Sequence, residues 1–528
     1  MQKYWVTTAL TYANGSLHLG HLVEQIQADI WVRFLRLKGH EVTFVSGADA
    51  HGTPIMLKAE QEGVAPEQLV MLMQRKHIEI TKRFFVAFDC YDITHSEENK
   101  SWVEWVYAQL VKSDLIHQKT VLQAYDSEKE MFLPDRYVKG GCPKCGAADQ
   151  YGDNCDVCGA SYGPRDLLDP YSSVSGKPIE YRNTKHFFLS MQKYEQRIGD
   201  WIQQAQMPEE VKHKLSEWFD AGLKDWDISR DAPYFGFKIP DSDQYFYVWV
   251  DAPVGYLAAL SQMLGRDHVK DVLLSPQRDV SIHHFIGKDI VFFHGVFWPA
   301  LLIGSGLTPP DALNVHGFLT INGQKMSKSR GTFIAADEYL EQYDPEFLRY
   351  YLASKLNQSI VDINLCWDDF KQKNNTDVVN KVINIGSRCA SFVHKYFNGM
   401  LSDVIDEELV KYIEEKSEKV ATYFDERRFS DAMKEIMHCA DETNRYIDQH
   451  KPWVMIKEDD QRTNVHQIVS SGIQSFFQLM VMLSPVLPET AKKVFALLNI
   501  DHVQWDTLYE HLGARSIKPF GVLKARVQ

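Results

Sequence analysis

The first fifty residues restrict the fold most, because they read in order as strand, turn, helix and strand. Residues 4–10 are rich in β-branched and aromatic side chains, and residues 13–16 have the composition of a turn. Apolar residues then recur at helical spacing over 17–37, Gly39 follows as a helix end, and residues 41–45 form another strand. This order predicts a doubly wound parallel α/β sheet, which binds ligands at the carboxyl ends of its strands.

The same pattern is interrupted once and then resumes. After about residue 112 the chain becomes rich in Gly and Cys, which predicts an insert that splits the sheet. Strand candidates return at 245–250, 282–286 and 290–293. Long amphipathic helices, typical of a bundle, are expected over 377–397, 407–424 and 467–482. The predicted parts are a first half-sheet at 1–112, an insert at 113–232, a second half-sheet at 233–319, a connecting region at 320–375 and a helical bundle at 376–528.

The composition limits what this chain can bind and where it can lie. Lys and Arg number 57 against 71 Asp and Glu, a net charge of −14, so a surface for nucleic acid must be a local basic patch. The first residues carry no signal-like segment. The longest apolar run, at about 290–307, is broken by His294 and Pro299 and predicts a buried element, not a membrane span. We therefore expect a cytoplasmic protein without a membrane partner.

Four of the eight cysteines form two C-x2-C pairs: Cys142 and Cys145, then Cys155 and Cys158. Four thiolates at this spacing can close a tetrahedral zinc site, with Gly146 and Gly152 relieving the tight turns. Four unrelated buried cysteines are a poor alternative for two matched pairs, and a redox pair lacks the strand-then-helix context. We expect one structural Zn²⁺, because four thiolates leave no open coordination position.

A His-Leu-Gly-His motif opens the first predicted helix. His18 and His21 are three residues apart, so both imidazoles fall on one helical face. A helix N-terminus offers N–H groups to an anion, and Gly20 allows a nucleotide to approach the backbone. Taken alone, the motif fits a nucleotide site, a two-histidine metal site or ordinary helix residues.

A second motif, Lys-Met-Ser-Lys-Ser at 325–329, lies between two glycines. Lys325, Lys328 and Arg330 make this segment cationic, which suits a triphosphate that must be bound and then released. A cationic loop by itself is most often only solvated. The occurrence of both motifs, each in its expected place relative to a split α/β sheet, favours an ATP site.

The two motifs are the signature of class I aminoacyl-tRNA synthetases, and nearly the whole chain resembles their methionine-specific family, of the bacterial type with a single four-cysteine zinc knuckle. Besides the motifs and the cysteine insert, the resemblance rests on Ala13-Asn14-Gly15, Gly47-x-Asp49-x-His51-Gly52, Trp249-x-Asp251-Ala252-Pro253-x-Gly255-Tyr256, Gly287-Lys288-Asp289 and Phe293-His294. It implies a Rossmann-like parallel sheet split by a zinc-containing connective insert, a stem-contact region, and an α-helical anticodon-binding domain.

The activity that this resemblance implies is methionine–tRNA ligation. Such enzymes convert L-methionine and ATP to methionyl-adenylate and pyrophosphate, and then transfer methionyl to the 3′ end of tRNA(Met). The methionine carboxylate is already ionised at neutral pH and needs no catalytic base. The two motif histidines would stabilise the α-phosphate, and Lys325 and Lys328 the leaving pyrophosphate with Mg²⁺. The residues expected to contact ATP are His18, Gly20, His21, Gly287, Asp289, Lys325 and Lys328.

The resemblance also implies a methionine pocket. Asp49 is expected to face the ammonium group, since a buried carboxylate needs a cation. A thioether is only a weak acceptor, so recognition must depend on shape and on sulfur–aromatic contact. The side chain is expected to lie among Leu10, Tyr12, Trp249, Ala252, Pro253, Tyr256, Phe293, His294 and Trp298. Taken singly, each aromatic residue is better explained as an ordinary core residue.

Neighbouring specificities fit the sequence less well. Cysteine-specific relatives carry a zinc thiolate near the first motif, whereas the first cysteine here is Cys90. Isoleucine, valine and leucine enzymes carry a large editing domain, and an insert at 113–232 that also holds the zinc knuckle is too short for one. Methionine is consistent with both observations.

In the bundle, Asn384 and Arg388 lie four residues apart on one helical face, and Trp453 follows a later helix. The resemblance assigns all three to anticodon recognition, with Trp453 stacking on a base. The alternatives are a surface pair and a helix-end hydrophobe. We expect initiator and elongator tRNA(Met) as partners, and a monomer as this chain, or a dimer if a C-terminal domain is missing.

Two other functions compete with this interpretation. A silent synthetase paralogue would bind tRNA without catalysis, but the intact histidines and lysines of the motifs argue against it. A nucleotidyltransferase that forms a different adenylate shares the His-x-Gly-His logic, yet has no use for a zinc insert and an anticodon bundle.

Overall fold

The computed structural model describes residues 1–326 and 333–528, so Lys328 of the second motif lies outside the described residues. The first part alternates strands and helices: β1 (Lys3–Thr8), β2 (Thr11–Tyr12), α1 (Leu19–Leu37), β3 (Glu41–Asp49), α2 (Thr53–Glu62), α3 (Pro66–Arg83), β4 (Cys90–Ile93) and α4 (Glu97–Lys112). Helix α1 buries Leu22, Ile26 and Ile30 at helical spacing, which turns its apolar face to the sheet.

An insert of two small antiparallel sheets and two helices follows. Its elements are β5 (Ile116–Asp126), β6 (Met131–Phe132), β7 (Val138–Gly141), β8 (Gln150–Tyr151), β9 (Leu168–Ser172), β10 (Glu180–Leu189), α5 (Glu195–Gln204), α6 (Glu209–Asp220), β11 (Trp226–Asp227) and β12 (Ser229–Arg230). The larger sheet has the order β11-β10-β5-β6, and the smaller sheet, β8-β7-β9, flanks the first cysteine pair.

The chain then returns to the first sheet and completes it. The elements are β13 (Tyr245–Phe246), α7 (Val248–Leu264), α8 (Arg266–Leu274), β14 (Val280–Gly287), α9 (Trp298–Gly304) and β15 (Ala312–His316). Strand β14 lies between β15 and β1, β3 pairs with β1, and both β2 and β4 pair with β3, with every pair parallel. A parallel sheet split by an insert confirms the predicted fold class.

Two of the predicted strands in this part are wrong. Residues 245–250 are extended only at Tyr245–Phe246, because Val248 already begins α7. Residues 290–293 are helical, with a 3-10 turn at Lys288–Ile290 that leads into a π-helix at Phe293–Phe297. Both segments are rich in β-branched and aromatic residues and lie among other apolar elements, where short apolar runs do not distinguish a buried helix from a strand.

The rest of the chain is mainly helical. Its elements are β16 (Leu319–Ile321), β17 (Gln324–Lys325), α10 (Ala336–Gln342), α11 (Pro345–Ala353), β18 (Ile363–Leu365), α12 (Trp367–Lys373), α13 (Asn384–Phe397), α14 (Glu407–Asp425), α15 (Phe429–His450), α16 (Pro452–Met455), α17 (Arg462–Leu483) and α18 (Pro488–Leu497). The helix predicted at 377–397 is wound as a π-helix over Asn374–Ile383 before α13 begins. Among the described residues, no helix is both long and apolar enough to span a bilayer.

Helix α1 joins the sheet to the bundle. Asp29 accepts a hydrogen bond from Arg349 of α11 at 2.6 Å, and both side chains are fully buried. Arg349 also donates to carbonyl oxygens of Pro485 and Val486, and Phe34 stacks on Phe424 with ring centroids 5.2 Å apart. Removing Asp29 would leave the buried charge of Arg349 without this ion pair, so these contacts hold the two parts together.

Candidate active site

A cavity of about 1400 Å³ opens at the carboxyl ends of β1, β3 and β14. Strand ends of this kind are where a doubly wound sheet binds its ligands. Of the predicted site residues, the cavity is lined by Leu10, Tyr12, His18, Gly20, His21, Asp49, Trp249, Ala252, Pro253, Tyr256, Gly287, Asp289, His294 and Lys325. Phe293 and Trp298 instead pack against Trp249 and Tyr256 of this lining.

The two motif histidines sit at the start of α1 as a capping pair. Nδ1 of His18 accepts a hydrogen bond from the Gly20 N–H at 3.0 Å, and Nδ1 of His21 accepts one from the His18 N–H at 3.3 Å. The two rings stack 3.6 Å apart. Burial, with the neighbouring His18 and His77, holds the pKa of His21 well below its usual value. A neutral ring with Nδ1 accepting carries its proton on Nε2, so each histidine offers an Nε2–H donor.

Gly20 is required because the His18 ring folds back over it. A Cβ at residue 20 would lie 2.8 Å from Cε1 of His18 and 2.6 Å from the methyl group of Met326. The missing side chain therefore leaves space for the His18 ring and brings the second motif within contact distance of the first. The sequence analysis instead explained Gly20 by the close approach of a nucleotide to the backbone.

Near Gly287 and Asp289, which are predicted to contact ATP, the structure adds two residues that the sequence analysis missed. Gly287 ends β14 and Asp289 follows two residues later. Glu24 of α1 and His316 at the end of β15 line the same cavity. Burial raises the pKa of Glu24, whose Oε2 lies 3.6 Å from Nε2 of His316. Carboxylates at this position can accept hydrogen bonds from ribose hydroxyl groups. The signal available in the sequence was the presence of four polar residues, Glu24, Gln25, Gln27 and Asp29, within a largely apolar helix.

Lys325 ends the short hairpin β16–β17, whose turn is Asn322-Gly323. Both turn residues have positive φ, 48° and 78°, as the tightest hairpin turns require. Nζ of Lys325 lies 5.6 Å from the centre of the Phe318 ring. The hairpin thus places a cation on the cavity wall, on the strand that leads into the second motif.

Asp49 lies at the carboxyl end of β3 and reaches into the cavity. Its Oδ1 is shielded from solvent and has no hydrogen-bond partner among the described residues. Burial and the neighbouring Asp251 raise the pKa of Asp49 well above its usual value. Asp251 is itself paired with His51, Oδ2 to Nδ1, at 2.6 Å. A solvent-shielded carboxylate with an open acceptor position is suited to a cationic ligand group.

The aromatic residues of the pocket form two ordered pairs. Trp249, at the start of α7, stacks on Phe293 with ring centroids 3.6 Å apart. The Tyr256 hydroxyl donates to Nε2 of His294 at 2.9 Å, and Nδ1–H of His294 donates to the Ile290 carbonyl at 3.2 Å. Burial lowers the pKa of His294 to about 4, which keeps its ring neutral. The π-helix at Phe293–Phe297 carries one member of each pair, Phe293 and His294, and such turns are frequent at functional sites.

The cavity wall also includes Arg230, which the sequence reading missed. Its guanidinium lies 3.8 Å from the centre of the Tyr247 ring. The flanking Asp227 and Asp231 accept hydrogen bonds from the two ring nitrogens of His186, at 2.6 and 2.9 Å. Burial opposes a charge on His186, but the two carboxylates outweigh it and raise its pKa to about 9. A charged imidazole therefore ties strand β10 of the insert to the segment that carries Arg230.

The four cysteines of the insert converge on one point. Their sulfur atoms all lie within 4.8 Å of one another, with Cys142 to Cys158 at 3.7 Å and Cys145 to Cys155 at 3.6 Å. Sulfur atoms at the corners of a tetrahedral zinc site are about 3.8 Å apart, so the arrangement fits the metal. The backbone N–H groups of Cys145 and Cys158 donate to the sulfurs of Cys142 and Cys155, as thiolates require.

The glycines of this site differ in part from the prediction. Gly146 and Gly159 each follow the second cysteine of a pair and have φ of 71°, a left-handed conformation that suits glycine. Gly152 does not relieve a knuckle turn. This position requires glycine because a Cβ there would lie 2.5 Å from the Asp135 carbonyl oxygen.

The three residues predicted to read an anticodon lie on the bundle. Asn384 is exposed at the start of α13, and Trp453, in α16, is 39% exposed. The Arg388 guanidinium lies 5.6 Å from the centre of the Trp453 ring and pairs with Asp448 at 3.0 Å. Lys451 has positive φ, and this turn brings Trp453 back beside α13. The structure thus brings an exposed aromatic ring and a cation together at one surface.

Comparison with known families assigns both parts of the chain. Residues 4–390 match the family model described as tRNA synthetases class I (M). Residues 399–516 match the model described as the anticodon binding domain of methionyl tRNA ligase.

Solved structures share the whole architecture. Methionyl-tRNA synthetase of Mycobacterium tuberculosis bound by methionyl-adenylate superposes with a TM-score of 0.81 and 22% identity, covering 99% of this chain and 100% of that chain. Another complex of that protein with methionyl-adenylate gives 0.81 at 23% identity, covering 99% of both chains. Its apo form gives 0.76 at 21% identity, covering 100% of this chain and 99% of that one. At this identity the likeness establishes the fold.

Proposed function

The chain belongs to the methionine-specific class I tRNA synthetases, and on that premise we infer which residues carry out the two steps of the reaction. It activates L-methionine with ATP, releasing pyrophosphate, and charges tRNA with the methionyl group. The observation that carries our residue assignment is a single cavity lined by the capping histidine pair, by Asp49 with its solvent-shielded Oδ1, and by a lysine.

The phosphate end of the cavity supplies the charge stabilisation. The methionine carboxylate attacks the α-phosphate, the bond to the β-phosphate oxygen breaks, and pyrophosphate leaves with the negative charge. His18 and His21 would each donate an Nε2–H to the α-phosphate as charge develops on it. Lys325 and Lys328 would stabilise the leaving pyrophosphate. Mg²⁺, bound with ATP, would neutralise charge on the phosphate oxygens.

The remaining residues would position the two substrates. Gly287 and Asp289 would bind the ribose, and we add Glu24 as a further acceptor for its hydroxyl groups. Asp49 would bind the methionine ammonium group. The thioether would lie among the aromatic residues of the pocket, where the polar atoms of Tyr256 and His294 already have hydrogen-bond partners. Such a pocket offers a sulfur atom contact surface without competing hydrogen bonds.

Pyrophosphate exchange into ATP tests this function directly. With the purified protein, exchange should depend on methionine and should not occur with isoleucine or cysteine. If methionine supports no exchange, the enzyme assignment is wrong. Exchange driven by a different acid, and not by methionine, would instead identify an enzyme that makes another adenylate.

We propose that the cysteine cluster holds one structural Zn²⁺. Its four thiolates would complete a tetrahedral shell, so the metal would stabilise the insert and take no part in the chemistry.

Replacing Cys158 by Ser should abolish stoichiometric zinc and lower the melting temperature of the insert. Metal analysis after gel filtration measures the first effect, and calorimetry the second. Cys366→Ser is the matched control, because that cysteine lies outside the cluster and should leave zinc content unchanged. Full zinc content in Cys158→Ser would rule out this ligand set.

We propose that Asn384, Arg388 and Trp453 bind the anticodon. The exposed Trp453 ring offers a stacking face beside a cation, and Asn384 lies exposed on the helix that carries Arg388. Recognition through the anticodon would treat initiator and elongator tRNA(Met) alike where they share that sequence. We propose that the chain acts as a monomer. We propose a cytoplasmic location, since a reducing compartment would keep the cysteines out of disulfide bonds, as they are in the structure.

Trp453→Ala should lower kcat/KM for tRNA charging roughly 5- to 150-fold, because stacking on a base is worth about 1–3 kcal/mol. Methionine-dependent pyrophosphate exchange should be unaffected. Val454→Ala, a change in the adjacent exposed residue, is the control and should alter neither activity. A loss of exchange in Trp453→Ala would indicate a folding role for this residue.

A further inference from the structure

One buried histidine beside the methionine pocket has no part in the proposed chemistry. His284 lies in β14, directly opposite Thr7 of β1 in the parallel register, and is 3% exposed. It lies one layer behind the cavity lining, in contact with Tyr256 and Trp298. Both residues belong to the predicted methionine pocket.

The hydrogen bonds of His284 fix its protonation state and its orientation. Trp298 donates its Nε1–H to Nε2 of His284 at 3.0 Å. Since Nε2 accepts, the ring proton lies on Nδ1 and is donated to the hydroxyl oxygen of Thr7. Burial, with the neighbouring His294 and His283, keeps the pKa of His284 well below its usual value. The ring is therefore neutral and held from both sides.

The same ring supports Tyr256 from behind. The Tyr256 and His284 rings stack with centroids 4.9 Å apart and an interplanar angle of 28°. At its other end, Tyr256 is held by the hydrogen bond from its hydroxyl to His294. Tyr256 is fully packed, and so it can recede from the pocket only if the space occupied by His284 becomes available.

We propose that His284 is a positioning residue that sets the depth of the methionine pocket. It acts through Tyr256, by ring contact, and through Trp298, by accepting its Nε1–H. This inference rests on the proposed function, because it assumes that Tyr256 borders the methionine side chain. It predicts that His284 determines how much longer than methionine a substrate can be.

The test compares methionine with ethionine, which is one methylene longer. A hydrophobic pocket discriminates one methylene by about 10- to 200-fold. His284→Ala leaves a partly collapsed cavity behind Tyr256. The ratio of kcat/KM for ethionine to that for methionine, measured by pyrophosphate exchange, should therefore rise roughly 10-fold or more. Most of the change should be a lower KM for ethionine.

His284→Phe is the matched control, because it keeps a ring behind Tyr256 while removing both hydrogen bonds. It should reduce kcat/KM for both substrates and leave their ratio near that of the wild type. A ratio that rises equally in His284→Phe would contradict support by the ring. An unchanged ratio in His284→Ala would overturn the proposal.

Two further outcomes are separable. If His284→Ala does not fold, His284→Gln retains an acceptor for Trp298 and a donor for Thr7 without the ring, and it should raise the ratio by a smaller factor. An unchanged ratio in that variant counts against the proposal in the same way. Absence of methionine-dependent exchange in the wild type would instead remove the proposed function on which the inference rests.

Discussion

Asp49→Asn should weaken methionine binding roughly 30- to 5000-fold, because truncating one partner of a buried charge pair costs about 2–5 kcal/mol. The Asp49 carboxylate is shielded from solvent, and its Oδ1 has no hydrogen-bond partner among the described residues, so the ligand ammonium group would be its partner. Asparagine keeps the shape but offers no charge. Isothermal titration of methionine measures the loss, and ATP binding should be unchanged.

The pH dependence of methionine binding provides a second test of the role of Asp49. Burial and Asp251 raise the pKa of Asp49 in the empty site, so this carboxyl group takes up a proton at higher pH than usual. Binding of a cation favours the ionised form. The Kd for methionine should therefore increase as the pH falls through that raised pKa, and Asp49→Asn should remove this dependence.

Asp92→Asn is the matched control for this pair of experiments. Asp92 lies on the neighbouring strand β4, is half-buried, and has a raised pKa, chiefly through desolvation. It is expected to leave the Kd for methionine and its pH profile close to those of the wild type. Wild-type affinity in Asp49→Asn would place the ammonium group elsewhere.

Lys325→Ala should slow formation of methionyl-adenylate roughly 100- to 1000-fold, the usual effect of removing one group that stabilises transition-state charge. The lysine would meet pyrophosphate as it leaves, and it would contact neither the methionine carboxylate nor its side chain. Rapid-quench measurement of a single turnover gives the rate, and the Kd for methionine should change little.

Lys288→Ala is the control for Lys325. The Lys288 ammonium group lies 4.9 Å from the centre of the same Phe318 ring. It is, however, already paired with a carboxylate, because its Nζ lies 2.5 Å from Oδ1 of Asp362. It should change the rate of adenylate formation only a few-fold. An equal loss of methionine affinity and rate in Lys325→Ala would exclude a role confined to pyrophosphate.

The features that could be predicted well from the sequence are those that depend on the spacing of residues close together in the chain. Two C-x2-C pairs bring four sulfurs together in the structure, and the turn at Asn14 and Gly15 leads into a helix that begins after His18. In these cases the partners are close along the chain, so their order and spacing carry the geometry. The parallel sheet and the helical bundle followed from hydrophobic periodicity over longer segments.

The features that it missed depend on distant segments meeting. In the sequence, Glu24 is indistinguishable from other polar helix residues. Only in the folded protein does β15 place His316 beside it. Arg230 lies in β12, beside Asp231, which accepts a hydrogen bond from His186 of β10, and Tyr247 lies under its guanidinium. Helix α7 was read in part as a strand because it is buried on most sides, and only its neighbours in the fold distinguish the two.

The split sheet has a consequence for biosynthesis. Thr7 and His284 are neighbours across β1 and β14, yet 277 residues separate them in the chain. At a synthesis rate of about 5–20 residues per second, β1 waits roughly 14–55 s for this partner. Until then the edge of β1 that will pair with β14 is exposed, and unpaired strand edges promote association between nascent chains. Early folding of the insert would shorten the loop to be closed, so the zinc cluster would influence how quickly the catalytic sheet is completed.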